Sequence, residues 1–201
     1  MEFIDLDKKL SGSDSSYEKL PSDKKTKRNI ISEILHFILA VAFVFAGAFL
    51  IVTFIAQRTQ VNGSSMETTL SDKDNLIVEK ISYHFIKPHR FDIVVFPHEV
   101  NGKNIYYIKR VIGLPGEKVQ ISNGIIYIND VALDEDYGCE VMSEAKLAAS
   151  PIVLGDDEYF VLGDNRNHSS DSREIGPVKE DTIVGRAVFR IWPLSKFGRL
   201  K

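Results

Sequence analysis

The chain has 201 residues, 44% of them apolar, and its 25 Lys and Arg stand against 28 Asp and Glu for a formal net charge of -3. No basic excess points to a nucleic-acid partner, and that class is excluded. A single cysteine, Cys139, excludes an internal disulfide, so whatever folds here is held by packing. Cys139 has no motif around it and reads as a structural or incidental thiol.

Residues 1–29 are polar and charged, with SGSDSS at 11–16 and PSDKKTKR at 21–28. Such a composition cannot bury enough apolar surface to fold alone, which predicts a disordered tail. Residues 34–56 then carry no charge. As a helix they would extend about 35 Å, against a hydrocarbon core of about 30 Å, so a membrane span is expected over 30–57. A cleavable secretory signal competes, because AGA at 46–48 has the small-x-small form of a processing site. The apolar run continues to Ala56, however, beyond the roughly 7–15 residues of a signal's apolar region, so the helix is expected to be retained. Lys19, Lys24, Lys25, Lys27 and Arg28 precede the run, whereas only Arg58 and Lys73 occur in a comparable stretch after it. That bias predicts a cytoplasmic tail and an extracytoplasmic remainder.

Residues 58–201 read as one mainly β domain. Short β-rich runs occur at 76–79, 92–96, 105–112, 125–128, 159–162 and 183–191. Asn123-Gly124 between 119–121 and 125–128 signals a hairpin, and GLPG at 113–116 a further turn. The expected architecture is an antiparallel, coiled β-domain. SEAKLAA at 143–149 has helical propensity within a polar connection and is expected to be a surface insertion.

Three segments could carry chemistry. In a strand over 105–112, alternation puts Ile105, Tyr107, Lys109 and Val111 on one face, so Lys109 has only apolar or aromatic neighbours there. A free lysine, with a pKa of about 10.4, is neutral about once in a thousand near pH 7.4; desolvation lowers that value and makes a general base. The segment VNGSSMETTL at 61–70 supplies a nucleophile. Ser64 and Ser65 point opposite ways in an extended chain, and the pattern alone does not choose between them. The third segment, GDNRNHSSDSR at 163–173, follows a strand and carries Asp164 with Arg166 and Asp171 with Arg173 at equal spacing, pairs able to cross-link a rigid wall.

In order and content these segments, with RFDIVVF at 90–96 and YIKRVIGLPGE at 107–117, resemble the bacterial type I signal peptidases. These are membrane-bound serine endopeptidases with a fold shared with repressor-type proteases. The resemblance runs from the spanning helix onward and does not reach residues 1–29. It implies Ser65, immediately before Met66, as nucleophile and Lys109 as general base, acting through an acyl-enzyme. It further implies that the Ser169 hydroxyl bonds the Lys109 amine, that Asp171, Arg173 and Arg110 form a supporting ionic network, and that the Ser65 N–H is an oxyanion donor. The implied substrates are signal-peptide-bearing preproteins cut after small-x-small motifs, with Val61, Val94 and Ile108 as candidate pocket walls. No cofactor or metal is implied, and a monomer at the lipid bilayer is expected.

Two positions depart from the family pattern: Thr68 stands where many members have proline, and Gly63 where some have a serine that donates to the oxyanion. Gly63 resembles the Gram-positive branch. Two alternatives carry less. A repressor-type protease would call for a soluble DNA-binding segment in place of the apolar run, and a tethered non-catalytic β-domain binding exported or cell-wall proteins would not need Ser65 or Lys109. His36, His84, His89, His98 and His168 are scattered without ligand spacing.

Overall fold

The computed structural model describes residues 23–54, 56–138 and 140–200. Cys139 and residues 1–22 of the expected tail lie outside the described residues. The chain divides into two compact units, Met1–Gly47 and Ala48–Lys201.

The helix α1 spans Asp23–Phe54, and within it Ile30–Leu50 is long and apolar enough to cross a membrane. At about 1.5 Å per residue this stretch matches a hydrocarbon core of about 30 Å. Its large side chains are exposed, Phe43 at 81% and Phe45 at 72%. Both of its ends differ from expectation. The helix starts within the expected tail, because lysine and arginine are good helix formers and extend it. It stops before residue 57, because Ala56–Gln60 is taken into a β-sheet.

From there the chain forms β1 (Ala56–Gln60), β2 (Asn75–Glu79), β3 (Ile93–Val100), β4 (Lys103–Gly113), β5 (Lys118–Ser122) and β6 (Ile125–Ile128). It continues with β7 (Val131–Ala132), β8 (Ile152–Val153), β9 (Glu158–Leu162), the short helix α2 (Ser172–Ile175), β10 (Val178–Lys179), β11 (Gly185–Trp192) and β12 (Gly198–Arg199). Every pairing among the described residues is antiparallel. The large sheet has the order β1-β2-β11-β3-β4-β9-β10 with β12 beside β11, and a small sheet has the order β7-β6-β5-β8. The mainly β, antiparallel reading of the sequence therefore holds. Strand β1 was not legible: AQRTQ lacks apolar alternation and is extended because it pairs with β2 from Ala56↔Glu79 to Gln60↔Asn75.

The Asn123-Gly124 turn has both residues at positive φ, 51° and 78°, the backbone twist that lets Ser122 and Ile125 face each other across a two-residue hairpin. Between the small sheet and the β4–β9 corner lies a core of Ile112, Val119, Ile121, Ile126, Phe160 and Leu162. The segment 143–149 lies at the surface as expected, with all of its residues but Ala145 and Ala148 exposed. A helical turn at Lys146–Ala149 tucks Ala148 fully into that core, because a methyl group is small enough to sit beneath the sheet. The two faces of the large sheet carry separate clusters: Val61, Met66, Leu70, Leu76, Val95 and Ile108 on one side, Val94, Phe96, Val111, Tyr159 and Val161 on the other.

Candidate active site

Strand β4 positions Lys109. It is paired with β3 over its whole length up to Arg110, with Lys109 opposite Val94, whereas β9 covers its other edge only from Arg110 onward. The stretch 103–109 thus presents an uncovered edge, and β1 at the end of the sheet presents another. Between them lies a cleft of about 590 Å³ lined by residues 59–66, 104–109, His168 and Ser170.

Ser65 enters this cleft on a tight turn after β1. The Glu67 N–H donates to the Ser64 carbonyl at 3.0 Å and the Leu70 N–H to the Met66 carbonyl at 2.7 Å. Met66 and Leu70 are buried in the core beneath, so apolar anchors hold the turn while Ser65 stays accessible. Val61 is fixed by backbone bonds to Asp74 and Lys73, and the Gly63 N–H donates to Asp72 at 2.9 Å.

The Lys109 Nζ lies 2.8 Å from the Ser65 Oγ and 3.1 Å from the Ile108 carbonyl. The side chain is 4% exposed, with Nζ 4.9 Å from the centre of the Tyr107 ring. Burial lowers its pKa from the ordinary lysine value to about 8, and this desolvation outweighs the opposing pull of Asp171 and Asp164. Each of these carboxylates has an arginine of its own. Arg110 holds Asp164 by two bonds of 2.9 and 2.8 Å, and Arg173 holds Asp171 by two of 2.9 Å. At a pKa of about 8, roughly a fifth of the molecules carry a neutral amine at pH 7.4, against about one in a thousand for a free lysine. Of the two serines, it is Ser65 that the fold brings to Lys109; Ser64 is exposed and lines the cleft.

The remaining expected site residues fall into place unequally. Val61 and Ile108 line the cleft from the core side. Val94 does not: it is the cross-strand partner of Lys109 but is fully buried in the other core cluster, with no surface for a substrate. Tyr106, Tyr107 and Ile105 line the cleft, and residues of the exposed strand edge are hard to single out from alternation alone.

The Ser169 hydroxyl is not bonded to Lys109. It is buried and unpartnered in this arrangement, packed against Gly163, while the amine is turned toward Ser65 and its own strand carbonyl.

Within the polar segment the pairing is also not the one that equal spacing suggested. Asp171 pairs with Arg173, but Asp164 pairs with Arg110 and Arg166 reaches Glu135 by two bonds of 2.7 Å. Arg110 further donates to the Phe91 carbonyl and to Thr69, and stacks on Tyr137 with its guanidinium 3.6 Å from the ring centre. An exposed-looking run of polar residues is therefore a buried wall, because nearly every charge in it is matched.

Sequence reasoning missed Gly163 and Asn165. A Cβ on Gly163 would stand 2.2 Å from the Ser169 Oγ and 2.5 Å from the Ser65 carbonyl, so the wall approaches the nucleophile turn only because that residue is glycine. Among the described residues no cluster of His, Cys, Asp and Glu is placed to hold a metal ion.

Comparison with known proteins matches residues 33–192 to the family described as signal peptidase, peptidase S26. A probable signal peptidase I-2 of Synechocystis sp. is 44% identical over 152 residues, covering 74% of this chain and 68% of that protein. A signal peptidase I of Leptolyngbya laminosa is 46% identical over 154 residues, 74% of each chain. Signal peptidase IB of Staphylococcus aureus strain COL is 36% identical over 180 residues, 82% of this chain and 93% of that protein. Among solved structures, a signal peptidase I from Enterococcus faecalis V583 is 39% identical, covering 50% of this chain and 97% of that one with a TM-score of 0.42.

Proposed function

The chain belongs to the peptidase S26 family of signal peptidases, and on that footing we propose that Ser65 is the nucleophile and Lys109 the general base of its cleavage reaction. The enzyme is a signal peptidase I, its substrates carry signal peptides, and its apolar helix and family associate it with the membrane. The single observation that supports the pair is the 2.8 Å separation of a buried, apolar-walled amine from one serine hydroxyl.

In the reaction, neutral Lys109 accepts the Ser65 proton as Oγ bonds to the scissile carbonyl carbon. The resulting ammonium protonates the leaving amine when the C–N bond breaks, leaving an acyl-enzyme. Lys109, neutral again, takes a proton from the water that attacks the ester carbonyl and returns it to Ser65 Oγ as the C–Oγ bond breaks. The Ser65 N–H donates to the oxyanion at each tetrahedral stage. The Arg110, Asp164, Asp171 and Arg173 network supports the wall beside the base without touching the substrate, and Ser169 is the hydroxyl to which the Lys109 amine turns when it leaves Ser65.

A signal peptide lies extended between the open edges of β1 and β4, bonding to backbone on both sides. Side chains one and three residues before the cut point alike and meet the close walls of Val61 and Ile108, which leaves room for small ones. The substrate motif is accordingly small-x-small. The N-terminal segment faces the cytoplasm, by the excess of lysine and arginine before the apolar stretch of α1, and the β-domain of 58–201 works outside as a monomer held near its substrates by the helix.

The test is cleavage of a preprotein bearing a small-x-small site. Ser65→Ala and Lys109→Ala each abolish it and Ser64→Ala does not; full activity in Ser65→Ala overturns the nucleophile assignment.

A further inference from the structure

Both peptide groups that flank Ser65 receive hydrogen bonds from one residue of the polar wall, and the Ser64 carbonyl also accepts the Glu67 N–H of its own turn at 3.0 Å. The Asn165 side-chain Nδ2 donates to the Ser64 carbonyl at 3.2 Å, and the Asn165 backbone N–H donates to the Ser65 carbonyl at 3.1 Å. Neither peptide is cis. In a trans peptide the N–H points opposite to the C=O, so pinning the Ser64 oxygen on the Asn165 side sends the Ser65 N–H the other way. Ser64, Ser65 and Met66 line the cleft and Asn165 does not, so the other way is the open side, where a substrate carbonyl lies.

Asn165 is itself immobilised. It is 9% exposed and sits between Asp164, locked to Arg110, and Arg166, locked to Glu135. Those buried ion pairs are far from free-standing ornaments of stability, since a buried pair often contributes little net energy. Their placement on either side of Asn165 gives them a mechanical consequence: the rigidity of the wall is delivered to the nucleophile turn.

We propose that Asn165 is a positioning residue that fixes the peptide plane before Ser65 and thereby aims the Ser65 N–H at the developing oxyanion. This rests on the assignment of Ser65 as nucleophile and oxyanion donor. It also accounts for how a chain with Gly63, which has no hydroxyl to donate, can make full use of one backbone N–H: a donor that is prealigned costs no reorganisation when charge develops.

The experiment uses the full chain in detergent with a preprotein substrate, and compares Asn165→Asp, which keeps the shape but replaces the donor with an acceptor, and Asn165→Ala, which removes the side-chain bond without adding charge. Expected for both is a fall in kcat of about 10- to 100-fold, below the roughly 10²–10³ for deleting an oxyanion donor outright, with KM within about twofold. A peptide aldehyde spanning the small-x-small site, whose adduct oxygen occupies the oxyanion position, should lose affinity in step with kcat/KM, and the acid limb of Asn165→Ala should not move. Thermal melting identifies folded variants, and Asn165→Ala carries the test if Asn165→Asp does not fold. A kcat within threefold of the parent, a loss confined to KM, or unchanged aldehyde affinity overturns the positioning role while Ser65→Ala remains inactive. An active Ser65→Ala overturns the nucleophile assignment and this inference with it.

Discussion

Arg173 meets Asp171 through two buried bonds of 2.9 Å, Nε to Oδ1 and Nη2 to Oδ2, and Asp171 is the larger of the two carboxylate influences on Lys109. The arginine is thus linked to the Lys109 proton only through that carboxylate. Arg173→Met leaves a carboxylate buried and unpaired, which should destabilise the fold by about 3–5 kcal/mol in urea titrations. In the folded fraction the unmasked charge favours the ammonium, so the acid limb of activity should move to higher pH. An unmoved limb would separate the ion pair from the chemistry.

The parent enzyme should lose activity on the acid side with an apparent pKa of about 8 in kcat/KM, because only neutral Lys109 can accept a proton. Below that value the rate falls tenfold per pH unit. A pH–rate profile that stays flat to pH 5 would remove lysine as the base.

Lys109 should cost stability while it enables catalysis. Its folded pKa of about 8 lies below the value of about 10.4 for an unfolded lysine, so between these the unfolded chain binds more protons and stability rises with pH. Below pH 8 the whole cost is present, roughly 3 kcal/mol by linkage. Lys109→Met should be inactive yet about 1–3 kcal/mol more stable at pH 7 in urea titrations, with the gain shrinking toward pH 10.

Gly163→Ala should be damaging out of proportion to one methyl group. The new Cβ meets Ser169 and the Ser65 carbonyl at distances no side chain tolerates, so the polar wall or the nucleophile turn must give way. A loss of about 1–3 kcal/mol and of at least about tenfold in kcat is expected from denaturation and cleavage assays. Parent-like kinetics would mean that the wall and the turn move independently.

Strands β3, β4, β9 and β11 were legible because their apolar residues repeat in ways a pleated sheet demands, and the hairpin at Asn123-Gly124 because few residue pairs accept positive φ twice. Strand β1 was not, since its polar residues are extended only by virtue of β2. Val94 misled for a related reason: whether a branched apolar residue is pocket wall or deep core depends on what packs over it, which local pattern does not contain. The polar segment 163–173 misled most. Equal spacing paired Asp164 with Arg166, whereas the fold gives each a partner far away in the chain, Arg110 and Glu135.

From the residues alone came the long apolar helix, the β-rich class, and the presence of a lysine set among apolar neighbours on its strand. Composition and period are local quantities, and they suffice for these. Which serine meets that lysine, how dry the amine is, and which arginine silences which carboxylate were decided by the tertiary structure. Lys109 meets Ser65 across 44 residues of chain and Arg110 meets Asp164 across 54, and only the packed chain brings such segments within a few ångströms.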